Sequence, residues 1–119
     1  MIIYNAEING ELKTVVTEGG KIISVEENRK NGDINAEGNR LIPGLIDVHT
    51  HGCIGMDTMD ADFEPMCRFY AEHGTTSFLP TTMTMGYDSL LKVVNAKTDF
   101  AGANILGFHF EGPYISEKP

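Results

Sequence analysis

With 119 residues, 41% of them hydrophobic and 22% charged, the chain reads as soluble and globular rather than disordered. Nine Lys and Arg against seventeen Asp and Glu give a formal charge of −8, which argues against a nucleic-acid partner because the basic footprint for a phosphate backbone is missing. The amino terminus lacks a basic region followed by an apolar core, and no later apolar run nears the ~20 residues of a membrane span, so a cytoplasmic protein without a membrane partner is expected. Cys53 and Cys67 form no C-x-x-C pair and are expected to be reduced thiols.

In chain order, residues 2–6, 12–17 and 21–26 carry β-branched side chains, and Asn9-Gly10 and Gly19-Gly20 between them are hairpin turn signals, so a small antiparallel system is expected first. Asn31-Gly32-Asp33 marks a further turn, and Pro43-Gly44 breaks the pattern. Residues 45–49 then read as an extended strand. Phe63, Met66, Cys67 and Tyr70 recur at helical spacing and His73-Gly74 supplies a stop; Tyr87, Leu90, Leu91 and Val94 repeat that spacing after Gly86. Residues 76–81 and 104–110 are the strands that follow each turn of this alternation, and residues 81–86 read as a loop.

Strands alternating with helices imply a parallel sheet with right-handed crossovers, whose chemistry belongs at the carboxyl ends of the strands. His49, His51, Thr81 and Glu111 all fall at such ends. His49 and His51, separated only by Thr50, leave the end of their strand on one face with backbones about 6 to 7 Å apart, a spacing at which two imidazoles can chelate one ion. The spacing is easily met by chance. Its context adds weight, because the pair follows Pro43-Gly44 and an apolar run, and Asp47 shares its face as a candidate acceptor for an imidazole N–H. Glu111 ends the third strand, where a carboxylate can be a metal ligand or merely a solvated loop residue. His109, two positions earlier on the same face, is either a group that orients a ligand or water, or a packed histidine. Cys53 lies close enough to His51 to be considered as a ligand, but has little else in its favour.

The run Ile42-Pro43-Gly44-Leu45-Ile46-Asp47-Val48-His49-Thr50-His51-Gly52 resembles the first strand of the amidohydrolase superfamily, metal hydrolases built on an eight-stranded (β/α) barrel with a small β-sandwich formed partly by the amino-terminal segment. Dihydroorotases, allantoinases and deaminases share that signature. Three further stretches, Gly55-Met56-Asp57-Thr58-Met59-Asp60-Ala61, Gly74-Thr75-Thr76-Ser77-Phe78-Leu79-Pro80-Thr81-Thr82 and Leu106-Gly107-Phe108-His109-Phe110-Glu111-Gly112-Pro113-Tyr114-Ile115, are similar to the N-acetylglucosamine-6-phosphate deacetylase family within it. The resemblance covers nearly the whole chain, and Glu111-Gly112-Pro113 is its specific part, since many relatives bridge their metals with a carboxylated lysine.

The resemblance implies a residue-by-residue assignment in which Glu111 is a metal ligand and His49 and His51 are the pair that holds a second ion in binuclear members. Zinc or iron is the implied divalent ion, and an amino-sugar phosphate the substrate. It also implies an α/β chain with a sandwich segment at residues 1–43 and, at residues 44–119, the first three strands and two helices of a (β/α) barrel. A complete barrel needs about 250 residues. The family's remaining histidine ligands, its catalytic aspartate and its sugar-phosphate contacts are therefore expected downstream of Pro119, and the 119 residues alone are expected to be inactive and homo-oligomeric. A cyclic amidase or deaminase relative, and a non-catalytic truncated fragment, are the competing readings.

Overall fold

The computed structural model describes residues 1–116, so the last three residues of the expected 44–119 segment lie outside the described residues. The contacts of the chain divide it after Pro43 into two compact units.

In the first unit, strands β1 (Ile2–Ile8), β2 (Glu11–Glu18), β3 (Lys21–Glu27) and β4 (Ile34–Asn35) form one sheet in the order β3-β2-β1-β4. The first three pair antiparallel through the two expected tight turns. The fourth strand was not expected, and it pairs with β1 in parallel. Asp33 explains its position: its carboxylate accepts the Ile2 N–H at 2.6 Å and its own N–H donates to the Ile2 carbonyl at 2.8 Å, which lays the chain beside β1 instead of beside β3. Val15 and Ala6 are buried within this unit.

The second unit is an α/β arrangement around a parallel sheet. Strand β5 (Leu45–Thr50) is followed by a short hairpin, β6 (Gly52–Cys53) and β7 (Met56–Asp57), and by a 3-10 turn at Thr58–Asp60. Helix α1 (Glu64–Glu72), strand β8 (Thr75–Thr82), helix α2 (Tyr87–Val94) and the two short strands β9 (Asn104–Ile105) and β10 (His109–Phe110) complete it. β8 is central, with β5 on one side and β9 and β10 on the other, all parallel to it. Both helices form where the apolar spacing placed them, but the expected stripe of α2 is corrected: Leu90 and Val93 are its buried residues, whereas Tyr87 and Leu91 are exposed, because the sheet packs against a face turned from the one that the stripe marks. Their buried faces, Met66 and Cys67 from α1 and Val93 from α2, meet Phe78 of β8 together with Phe63 and Ala103 in one core. Burying Phe78 and Phe63 completely removes two of the largest apolar side chains from water, each on the order of 2 to 3 kcal/mol of driving force.

The hairpin and the 3-10 turn between β5 and α1 were not expected from periodicity, because each spans only two or three residues. The turn is capped at both ends of its box: Asp57 accepts the Met59 N–H at 2.7 Å and Asp60 accepts the Asp57 N–H at 2.8 Å.

The expected continuous strand over residues 104–110 is corrected by the structure. Its pairing with β8 breaks into two segments, Ser77 with Asn104 and Phe78 with Ile105, then Thr81 with His109 and Thr82 with Phe110. Residues 106–108 thus stand opposite only Leu79 and Pro80. Two features of the structure account for it: Pro80 has no N–H to donate to a neighbouring strand, and Gly107 takes a φ of 151°, outside the range an L side chain favours. The one-residue slip is a bulge, and it re-aims the segment that carries His109 and Glu111.

Candidate metal centre

β5 alternates as a strand must. Thr50 points toward helix α1, where its hydroxyl lies 2.6 Å from the Tyr70 hydroxyl, while His49 and His51 leave on the opposite side. The peptide between the two histidines is held on every side: Thr81 Oγ1 accepts the Thr50 N–H at 3.1 Å, the Thr58 hydroxyl donates to the Thr50 carbonyl at 3.2 Å, and the Thr58 N–H donates to the His51 carbonyl at 2.7 Å. Thr50, Thr58 and Thr81 are all buried, so these bonds do not compete with bulk water.

The side chains converge. His49 Nε2 and His51 Nε2 are 3.2 Å apart, and Glu111 Oε1 lies 3.1 Å from the first and 3.7 Å from the second. All three residues offer ligand atoms within 4.8 Å of one another. His51 Nδ1 is 3.1 Å from the Thr81 carbonyl oxygen, which can only accept, so that nitrogen carries the proton and Nε2 presents its lone pair to the cluster. Three atoms that bind cations through lone pairs do not lie this close unless a proton or a metal ion sits among them. Two imidazole nitrogens and a carboxylate oxygen are a donor set suited to zinc or ferrous iron, and the residues present therefore fit a divalent ion. The side chains keep 44%, 38% and 34% of their surface for His49, His51 and Glu111, which leaves the cluster open to solvent on one side.

The structure thus brings together the three residues singled out as ligands, from the carboxyl ends of β5 and of β10. The two supporting candidates differ. His109 stands edge-on to His49 with ring centroids 4.7 Å apart and places Nδ1 3.4 Å from the Thr81 hydroxyl. Asp47 accepts the backbone N–H of His49 at 3.0 Å, so it meets the peptide rather than an imidazole N–H. Cys53 stands outside the His-His-Glu group among the described residues and packs against the core; burial pushes its thiol up, with the Tyr70 hydroxyl pulling the other way. Sequence reasoning gave no role to Thr50, Thr58, Tyr70 or Thr82, whose hydroxyl accepts the Glu111 N–H at 3.3 Å. Only the threonines at the end of β8 carried a signal, since the carboxyl end of a parallel strand is where supporting groups belong.

A profile of the amidohydrolase family matches residues 40–118. The chain belongs to the amidohydrolase family. Among its relatives, the N-acetylglucosamine-6-phosphate deacetylase of Bacillus subtilis is 39% identical over 121 aligned residues, covering 92% of this chain and 29% of that protein. The protein of the same name from Vibrio furnissii is 35% identical over 128 residues, covering 98% of this chain and 32% of its own length. The crystal structure of N-acetylglucosamine-6-phosphate deacetylase from Thermotoga maritima superposes with a TM-score of 0.72 at 34% identity, over 99% of this chain and 34% of that one. A second such structure, from Pasteurella multocida, gives 0.70 at 27% identity over 98% and 35%. The amidohydrolase chain described here therefore spans roughly a third of the relatives it matches.

Proposed function

We propose that this chain is the amino-terminal, metal-binding portion of an N-acetylglucosamine-6-phosphate deacetylase, an enzyme that hydrolyses the N-acetyl group of an amino-sugar phosphate to give glucosamine 6-phosphate and acetate. In this reading residues 1–43 are a segment of the family's β-sandwich, and residues 44–119 supply the opening strands of its (β/α) barrel. The observation that carries it is the convergence of His49, His51 and Glu111 at the carboxyl ends of parallel strands, joined to the names of the relatives that match nearly the whole chain.

His49, His51 and Glu111 hold a divalent ion, zinc or iron, within a centre that is binuclear in the whole enzyme. Such an ion supplies Lewis acidity toward an acyl oxygen and acidifies water toward neutral pH. The chain's own residues orient the donors: Thr81 keeps His51 in the tautomer that offers Nε2, Asp47 fixes the His49 peptide, and Thr82 fixes the Glu111 peptide. A cytoplasmic site of action fits the two free thiols, and among the described residues no helix is long and apolar enough to cross a membrane.

Two measurements test the reading. Zinc titrated into the chain by calorimetry binds weakly, and the double variant His49→Ala/His51→Ala abolishes that binding; equal uptake by the double variant removes the metal assignment. In the gene product that carries these residues, release of acetate from N-acetylglucosamine 6-phosphate falls at least about a hundredfold on Glu111→Gln, a larger loss than that of an outer-shell partner. A different amidohydrolase would turn over a cyclic amide or an amino-purine in place of the sugar phosphate.

A further inference from the structure

We propose that Thr81 is a positioning residue of the metal centre, a single residue whose carbonyl and hydroxyl hold two imidazoles and the peptide between the paired histidines. The proposal rests on the reading above, in which His49, His51 and Glu111 hold a divalent ion. Thr81 is not one of the three candidate ligands; it acts through its neighbours.

The assignment follows from counting donors and acceptors. A threonine hydroxyl has one hydrogen to give and two lone pairs to receive with. Thr81 Oγ1 has three contacts: the Thr50 N–H at 3.1 Å, the Leu79 carbonyl at 3.3 Å and His109 Nδ1 at 3.4 Å. The Thr50 amide can only donate and the Leu79 carbonyl can only accept, so the single hydroxyl hydrogen goes to Leu79. His109 must then donate, and its proton sits on Nδ1. The Thr81 carbonyl imposes the same tautomer on His51, 3.1 Å away. Thr81 is fully buried, so water does not substitute for any of these partners, and its branched Cβ restricts the hydroxyl to few rotamers. The result is that both His51 and His109 present Nε2 as a lone pair, and that Thr50, the residue between His49 and His51, is tied to the neighbouring strand.

The wild-type chain tests the tautomers without any substitution. Long-range proton–nitrogen NMR of the metal-free protein, recorded about two pH units above the ordinary histidine value, shows His51 and His109 both protonated on Nδ1. An Nε2-protonated His109 overturns the proposal. Thr81→Val removes the hydroxyl and keeps the carbonyl: His51 retains its Nδ1 proton, His109 loses its preference, and zinc affinity by chelator competition falls about 10- to 100-fold, the range for groups that orient metal ligands. Thr81→Ser restores both signals. A loss of general packing moves both histidines together and is not rescued by serine in this pairwise way. Wild-type zinc affinity and an unchanged His109 tautomer in Thr81→Val also overturn the proposal. The underlying metal reading fails separately, if zinc uptake is indifferent to His49→Ala/His51→Ala.

Discussion

Gly52, directly after the histidine pair, shows how closely the backbone is built around these side chains. Its φ is 147°, and a Cβ placed there would run into the backbone carbonyl of Met56 across the β6–β7 hairpin. No side-chain motion relieves a clash with backbone. Gly52→Ala therefore destabilises the chain by about 2 kcal/mol or more and displaces His51, seen as a lowered denaturation midpoint together with weaker zinc uptake. A second residue-scale expectation concerns alkali. Burial pushes the Cys67 thiol above its ordinary value of 9.0 and the Tyr70 phenol above 10.0, with the Thr50 hydroxyl opposing the shift at Tyr70. Both groups are acids that hold their proton more tightly when folded, so the unfolded chain releases it first. Their contribution to stability is complete below the unfolded values and is lost as pH rises through the folded ones. These two groups therefore lower the thermal midpoint above about pH 9, and Tyr70→Phe removes part of that alkaline decline.

At the scale of elements, β8 does most of the organising. Its even-numbered side chain Phe78 fills the helix-facing core, while Thr81 serves the opposite side, so one strand carries both the packing and the support of the histidines. Phe78→Ala leaves a cavity against Met66, Val93 and Phe63 and costs about 3 to 5 kcal/mol, measurable by urea denaturation. Because β8 also aligns β5 and β10, the same variant loses zinc binding as the sheet loosens. The bulge at residues 106–108 is the other decisive element. Without the extra residue, the period of two would turn His109 and Glu111 to the face opposite the one they occupy.

For the whole molecule, the exposed apolar surface is the dominant feature. In β5 Leu45, Ile46 and Val48 are 57%, 61% and 62% exposed, and Leu106, Phe110 and Ile115 are also largely open. A parallel sheet is normally covered on both faces. The chain by itself is accordingly expected to self-associate, with light scattering at tens of micromolar giving a mass above that of one copy. A monodisperse monomer with a well-protected third strand in hydrogen exchange contradicts this. On the proposed reading the isolated 119 residues are also expected to release no acetate from N-acetylglucosamine 6-phosphate, since His49, His51 and Glu111 would leave most of a bound ion's coordination shell to solvent.

The helices, the hairpins of the first unit, the parallel alternation and the pairing of His49 with His51 were legible in the sequence because each rests on a local rule, whereas Glu111 was left open by the local pattern and joined them only through the family resemblance. Helical spacing marks both helices and selects the buried face of α1, though in α2 it missed Val93; a strand's period of two puts His49 and His51 together, and parallel strands collect their chemistry at one end. What lay beyond local rules was decided by tertiary structure. The parallel placement of β4 depends on Asp33 reaching Ile2, thirty-one residues away in the chain. The split of the third strand depends on Pro80 of another strand having no N–H to offer. Among the supporting threonines only Thr81 was marked by its strand end, and only the fold brings the hydroxyls of Thr58, Thr81 and Thr82 within bonding distance of the Thr50 peptide, the His109 imidazole and the Glu111 N–H. Hydrogen-bond partners are set by distance in space, and periodicity along the chain carries no record of them.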